Sequence, residues 1–424
     1  MKKIILSICF LIISAVSYAE DYSFEIPKPE EKKEVLELSG NLDVKYSILK
    51  SRKDSPFYNL QYYKMQLSDN LSSYRMNFYL NGDYQTKDID FHLKTYSEYY
   101  NDNETDFKIF ELFGNINLSD KSFLLLGKKM YSWGKGYAFN PAGYVNPVKD
   151  PENPELSQSG IFSINYQYSK SFKTGPVKNT SFDLIVIPSA ETINNKISET
   201  KNTDIAGKLY FLFLDTDLDI MGYYSSINSK NISFDFSRNV LPNLEMHGEF
   251  NRFTNQPKHI ISNNILETET IAGASYLAGI RWLNKWNITT ILEYYKNEAG
   301  LNKEEFSGIN NFIENAVTSG NKDSTSGAMN TNKKYFNGAN LMQDYLYLKL
   351  SLPEPFNLVD FTPSVYTIYN ITDKSHMIGI PLSYKPVTNF ELILLPTFLS
   401  GNKNTEYGSK QYENKIELWT RFYF

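Results

Sequence analysis

Side chains alternate between apolar and polar over long stretches of this chain. Leu36, Leu38, Gly40, Leu42, Val44, Tyr46 and Ile48 occupy one set of positions, and Glu37, Ser39, Asn41, Asp43, Lys45 and Ser47 fill the gaps. A period of two places the first set on one face of a strand and the second on the other. The pattern returns in Leu209, Phe211 and Phe213, and in Leu244, Met246, Gly248 and Phe250 against Glu245, His247, Glu249 and Asn251. It returns again in Leu346, Leu348, Leu350 and Leu352 against Tyr345, Tyr347, Lys349 and Ser351. Each strand therefore has one side compatible with lipid or core and one wet side.

Composition separates the two settings in which such strands occur. Hydrophobic residues make up 41% of the chain and the mean hydropathy is −0.41. Beyond the leader, no stretch approaches the roughly 18 uncharged apolar residues that a spanning helix needs. Aromatic residues nevertheless reach 15%, with 32 Tyr and 28 Phe. A transmembrane barrel accounts for both facts: only alternate residues face lipid, and aromatic girdles mark both interfaces. The expected fold is all-β, a transmembrane antiparallel β-barrel of about 18 strands, with 16 as the alternative. A secreted all-β protein with an ordinary core is the competing reading.

Both ends of the sequence fit a barrel in the outer membrane of a Gram-negative-type bacterium. Residues 1–19 carry Lys2 and Lys3, an apolar run from Ile4 to Val16, and small residues at Ser17 and Ala19, which reads as a secretory signal peptide. Cys9, the single cysteine, leaves with it, so no disulfide or thiol chemistry is expected afterwards. Residues 20–35 are charged, contain Pro27 and Pro29, and read as a short periplasmic lead-in too small for a folded plug. The barrel is assigned to 36–424. At its far end Ile416, Leu418, Thr420, Phe422 and Phe424 share one face. The terminal aromatics Phe422 and Phe424 are expected to act as the signal read by the barrel-assembly machinery.

Connection lengths alternate as well. Tight links are expected at Ser119–Lys121, Asp215–Thr216, Asn239–Asn243, Asn284–Lys285, Pro353–Phe356 and Pro386–Thr388. Longer ones fall at Tyr131–Ser159, Ser189–Asn202, Asn255–Glu267, Ala299–Asn340 and Gly401–Lys410. Short turns at one rim and long loops at the other are the barrel arrangement. Near the start, Tyr58 to Gly82 is read as one long strand to keep the strand number even. Pro381 and Pro396 fall inside expected strands, where each removes a ladder donor.

The most distinctive local sequence runs from Gly127 to Pro151. It includes Trp133-Gly134-Lys135-Gly136-Tyr137, Asn140-Pro141 and Asn146-Pro147-Val148-Lys149-Asp150-Pro151. Glycines allow sharp bends, and prolines stiffen the backbone around them. The expectation is a long loop near 131–158 that either folds inward as a constriction, with Trp133, Lys135, Tyr137, Lys149 and Asp150 as candidates, or packs over the rim. No glycine stands at the third position of a nucleotide fingerprint, so that reading is excluded. Gly-Lys, then Trp-Gly-x-Gly and a nearby Asn-Pro after a strand, resembles porin-like outer-membrane proteins of Gram-negative bacteria. A weaker resemblance is to capsule-assembly barrels, although those carry a periplasmic helical portion that the lead-in lacks. The resemblance implies a barrel carrying small polar solutes, set among outer-membrane lipid and lipopolysaccharide.

A second long loop, 299–340, contains Phe306, Ile309, Ile313 and Val317 at helical spacing, so a short amphipathic helix is expected there. The Gly320–Asn332 run after it is expected to be mobile and exposed. On the barrel wall, alternation turns Arg281, Glu293, Lys349, Glu413, Lys415, Glu417 and Arg421 inward.

Catalysis finds little footing. Glu245-x-His247-x-Glu249 shares a strand face but lacks the second His of a good metal set. Asp102, Glu104 and Asp106 lack the EF-hand spacing. There is no Gly-x-Ser-x-Gly elbow. The net charge is −5, without a basic patch, so nucleic acid is not an expected partner. No cofactor, metal or reaction is expected. The functional reading is passive diffusion of small polar solutes. The alternative is a barrel with an occluded lumen that binds or assembles surface polysaccharide.

Overall fold

The computed structural model describes residues 35–86, 88–100, 104–189, 194 and 200–424. The signal peptide and nearly all of the lead-in lie outside the described residues, as does Asp102.

Among the described residues, nineteen antiparallel strands, numbered β1 (Val35–Ser51) to β19 (Tyr412–Tyr423) in chain order, form one sheet in which each, apart from β16 and β17, pairs with the next in sequence. The sheet closes on itself where β1 meets β19, in register from Asn41 opposite Tyr423 to Ile48 opposite Ile416. Closure removes every edge, which is what allows a sheet to stand in lipid. β16 (Ser375–Gly379) and β17 (Leu382–Val387) are halves of one stave. Both lie between β15 (Phe361–Asn370) and β18 (Phe390–Ser400). Pro381, which has no N–H to give, sits at the break. The barrel therefore has 18 staves, as expected from the sequence.

Alternation sorts the two faces. Leu36, Leu38, Ile48, Ile416, Leu418 and Phe422 are exposed on the outside, while their neighbours Asp43, Lys45, Lys415 and Glu417 turn inward and are largely buried. Arg421 holds Asp43 by two hydrogen bonds of 2.7 and 2.9 Å across the closing seam. Phe424 finishes the seam: its backbone exchanges hydrogen bonds of 3.0 and 3.1 Å with Gly40, and its ring stacks 5.9 Å from Phe78. Gly40 is required there, because a Cβ would stand 2.2 Å from the Tyr79 carbonyl and 2.6 Å from the Phe424 ring.

Tight turns gather at one rim. β8 (Asp204–Phe213) turns directly into β9 (Thr216–Tyr224), and β10 (Lys230–Leu241) into β11 (Leu244–Ser262). The link after β14 (Asp344–Ser351) is longer than expected, from Leu352 to Asp360. The connections 130–160, 298–343 and 401–411 leave the staves at the other rim.

Three local expectations are corrected. Tyr58–Gly82 is not one strand. Ser55 caps a short helix α1 (Pro56–Gln61), accepting from the Tyr58 amide at 3.2 Å, with Pro56 at its first position. Strand β2 (Asn70–Gln85) begins only at Asn70, and this loop restores the phase of short and long connections. Nor is Asn255–Glu267 a loop. β11 runs on to Ser262 and β12 (Ile265–Leu283) starts at Ile265, joined by Asn263 and Asn264, both with positive φ as a two-residue hairpin turn requires. A bulge between Phe253 and Gln256 resets the alternation and disguises the strand. Finally, Gly320–Asn332 holds a helix, α3 (Lys322–Thr331). Asn321 caps it, and Thr325 and Ala328 are buried.

The helix expected around Phe306 is α2 (Lys303–Thr318). Asn302 and Glu305 form a capping box, and Phe306, Ile309 and Ile313 are buried. At roughly 1.5–3 kcal/mol for each buried apolar side chain, this face outweighs the cap. It packs with Leu60 of α1 and Ile261 of β11 in one apolar cluster that reaches down to Ala138 and Phe139. Salt bridges Lys258–Glu305 at 2.8 Å and Lys403–Glu314 at 3.0 Å tie the helix to the wall and to the 401–411 loop.

Candidate functional site

Loop 130–160 does not pack over the rim. It crosses the inside of the barrel as a strap whose two sides are fastened to different walls. On one side, β11 supplies Glu249, whose Oε1 accepts from the amides of Lys135 (2.6 Å) and Gly136 (2.5 Å), and whose Oε2 accepts from Ala142 (2.8 Å). β13 (Thr289–Asn297) supplies Glu293, which accepts from the amides of Tyr137 at 2.5 Å and Ala138 at 2.8 Å. On the other side, Lys94 of β3 (Ile89–Tyr100) donates to Ser157 at 2.8 Å, and Glu111 of β4 (Thr105–Ser119) accepts from the Met130 amide at 2.9 Å.

At each of the two glutamates, a wall carboxylate receives a cluster of backbone N–H groups from a folded loop. Gly134 (φ 89°) and Gly136 make the approach possible, since a Cβ on either would meet the Glu249 carboxylate and the loop's own Asn140 or Phe139. His247, one pair along from Glu249, reaches Glu293 Oε1 at 2.9 Å. Glu249 thus holds the strap directly and His247 through Glu293, while Glu245 stands 3.7 Å from His247 on the wall; no group of three or more potential ligands among the described residues could hold a metal ion.

Of the loop candidates, Trp133 is buried, with Tyr144 edge-on at 5.8 Å. Lys135 pairs with Asp219 of β9 at 2.8 Å and lies 3.9 Å from Asp235 of β10. Burial alone would lower its pKa, but the hydrogen bond and charge of Asp219 raise it on balance. Tyr137 donates to Glu155 at 2.8 Å and receives a hydrogen bond from Lys349 of β14. Lys149 is turned onto the loop's own carbonyls, Gly136 at 2.5 Å and Tyr137 at 3.4 Å, and burial lowers its pKa. Asp150 closes a local turn by accepting from the Glu152 amide at 3.0 Å. The two lysines therefore fasten the strap.

The wall candidates divide similarly. Glu293 holds the strap, Lys349 reaches it through Tyr137, and Arg281 lies in the inward register beside Glu245 and Ile291. On β19, Lys415 pairs with Glu417 at 3.0 Å and Arg421 with Asp43. Glu413 instead pairs with Lys50 at 2.7 Å near the loop rim. Reading the sequence alone missed Glu249 as the principal anchor. Its partners lie 107 to 114 residues away, and nothing local marks it.

A closed barrel with an apolar exterior, a charged interior and a loop strapped across that interior defines the chain's class: a membrane-spanning β-barrel of the porin fold. No family model and no curated protein sequence matches it. Solved structures do. Pseudomonas aeruginosa OpdQ aligns at a TM-score of 0.53 and 7% identity, covering 92% of this chain and 97% of that one. OccK2 (OpdF) of the same organism, solved in complex with glucuronate, aligns at 0.54 and 8% identity, covering 92% and 96%. The outer membrane protein OprD aligns at 0.50 and 9% identity, covering 91% and 93%. At such identities the likeness establishes the fold.

Proposed function

We propose that this chain is a porin-like channel of a Gram-negative-type outer membrane, through which small polar solutes diffuse passively. The observation that carries the reading is the strap: a folded loop fastened by Glu249 and Glu293 on one wall and by Lys94 and Glu111 on another. A barrel that only needed filling could use apolar side chains. One that must pass water and solute needs a narrowed, hydrated lumen with fixed charges. In this reading Trp133–Pro154 is the constriction, and Arg281, Lys349, Lys415, Glu417 and Arg421 set the field along the path.

One observation favours a second reading. The helices α1, α2 and α3 gather at the loop rim on an apolar cluster continuous with Phe139 of the strap, which would suit an occluded barrel that binds surface polysaccharide.

Single-channel recording in a planar bilayer tests both, using the full-length protein beside a Tyr137–Asn153 loop deletion. Ohmic steps that grow in the deletion are expected. Steps unchanged by the deletion would reject the strap as constriction. Absence of current from verified folded protein, with and without the strap, would overturn the channel reading and favour the occluded barrel.

A further inference from the structure

On the face turned away from the lumen, β10 to β14 enclose a groove of about 400 Å³. Its floor is low because two small residues, Gly248 of β11 and Ala278 of β12, stand opposite each other there. They belong to a register row whose other members, Phe236, Tyr294 and Leu346, are large and form the banks, with Phe250 at the loop-side end. The side chains that shape it are almost wholly apolar, as a surface standing in lipid requires.

Two cations stand at the loop-rim end of this face. Arg252 is the next outward residue beyond Phe250 on β11 and is exposed. Lys230 of β10 pairs with Thr254, which places it diagonally from Arg252 on the same face, at roughly 7–8 Å. Its ammonium lies 5.0 Å from the Tyr224 ring. Among the described residues, neither cation forms an ion pair. Other outward cations at this rim are matched: Lys128 donates to the Ile109 carbonyl at 2.7 Å, and Lys296 lies 3.7 Å from Asp344. Glu298, two strands along from Arg252, is engaged by the Ala274 amide at 2.8 Å. A cation on the lipid face is tolerated only near the interface, where an anion can meet it.

We infer that this face binds a phosphorylated glycolipid of the outer leaflet, the lipid A part of lipopolysaccharide. One acyl chain lies in the groove, and a phosphate sits between Lys230 and Arg252. Charge chooses the occupant: a guanidinium takes a phosphate through two parallel N–H donors, and the ammonium adds a point charge. The groove begins one outward position below Arg252 on β11, which is the order of a lipid, head above chain. The long connections leave the staves at this rim, so the cations face the outer leaflet. A second copy of the chain is a poorer fit, because a two-fold pairing across this face would bring the same cations together. The inference needs the outer-membrane setting and does not depend on whether the lumen conducts.

The test is titration of the purified full-length protein in detergent with diphosphoryl lipid A, and separately with phosphatidylglycerol, read by native mass spectrometry. Retention of lipid A is expected in preference to phosphatidylglycerol. Lys230→Gln combined with Arg252→Gln should weaken lipid A about tenfold, and Ala278→Phe, which fills the groove, about threefold. Lys128→Gln should leave the affinity unchanged. Heat-resistant migration on a gel verifies each folded barrel, and Ala278→Leu replaces the larger ring if that variant does not fold. Unchanged affinity in the folded double variant, an equal loss in Lys128→Gln, or phosphatidylglycerol bound as tightly as lipid A would overturn the site. So would an oligomer that excludes lipid A and dissociates in Ala278→Phe, which would assign the groove to a second copy.

Discussion

The Glu249 carboxylate lies 2.5 Å from the amide nitrogen of Gly136, 113 residues away in the chain, and takes two further amides of the same loop. With Glu293 beside it, this side chain fixes the course of the strap across the lumen.

Replacing that carboxylate should free the strap. In Glu249→Gln one oxygen becomes an N–H₂ facing backbone donors, and charge-assisted hydrogen bonds worth about 1.5–3 kcal/mol each are weakened or lost. Larger and noisier single-channel currents are expected, together with new trypsin cleavage at Lys135 or Lys149. Currents and cleavage identical to the parent would show that the strap does not depend on Glu249.

Gly134 offers an independent route to the same outcome. Its φ of 89° disfavours any L side chain, and a Cβ would stand 1.8 Å from Asn140 Oδ1 and 2.8 Å from Glu249 Oε1. Gly134→Val should loosen the strap while the barrel still resists heat on a gel. Unchanged currents in that variant would count against a close approach of strap to wall at this point.

The closing seam should be sensitive at Arg421. Asp43 is 1% exposed, and removing its bidentate partner leaves a buried charge held by the Asn41 amide at 2.7 Å and by Lys45 at 3.9 Å. A loss on the order of 3 kcal/mol is expected for Arg421→Met, read as a lower temperature for conversion of the folded band to the unfolded one. Retention of the parent temperature would refute it.

Loop 401–411 should respond to pH through Glu406. Burial raises this carboxyl above its ordinary value, while Tyr345 and Asn370 hydrogen-bond it at 2.8 and 2.7 Å. A raised folded pKa means the docked loop binds the proton more tightly than the undocked one. Its docking is therefore favoured below the ordinary carboxylate range and weakens as pH rises through the raised value. Hydrogen exchange of the loop, corrected for intrinsic rates, should show greater protection at pH 5 than at pH 8, and Glu406→Gln should abolish the difference. Equal protection in the parent at both pH values would reject a role for this carboxyl.

Much of the barrel was legible because period two is a local signal: Leu36 to Ile48 and Leu346 to Leu352 declare their faces without reference to anything distant. The helix at Phe306 was legible for the same reason. Errors arose where a local signal was ambiguous. The aromatic run at Tyr58 suits a strand, but Ser55-Pro56 starts a helix whose Leu60 is buried under α2. The bulge at Asn255 broke the alternation of a hairpin that continues beyond it. The site was less legible than the fold. That Lys149 fastens the strap, and that Glu249 anchors it, depends on contacts across the barrel that no local pattern encodes.

The anchors also impose an order in time. Residues 130–160 leave the ribosome before Glu249 and Glu293, which lie 107 to 156 residues further on. Until β11 and β13 stand in the wall, the strap has nothing to grip. Narrowing of the lumen therefore waits on the strands that hold the strap: the loop made earlier is seated by walls made later.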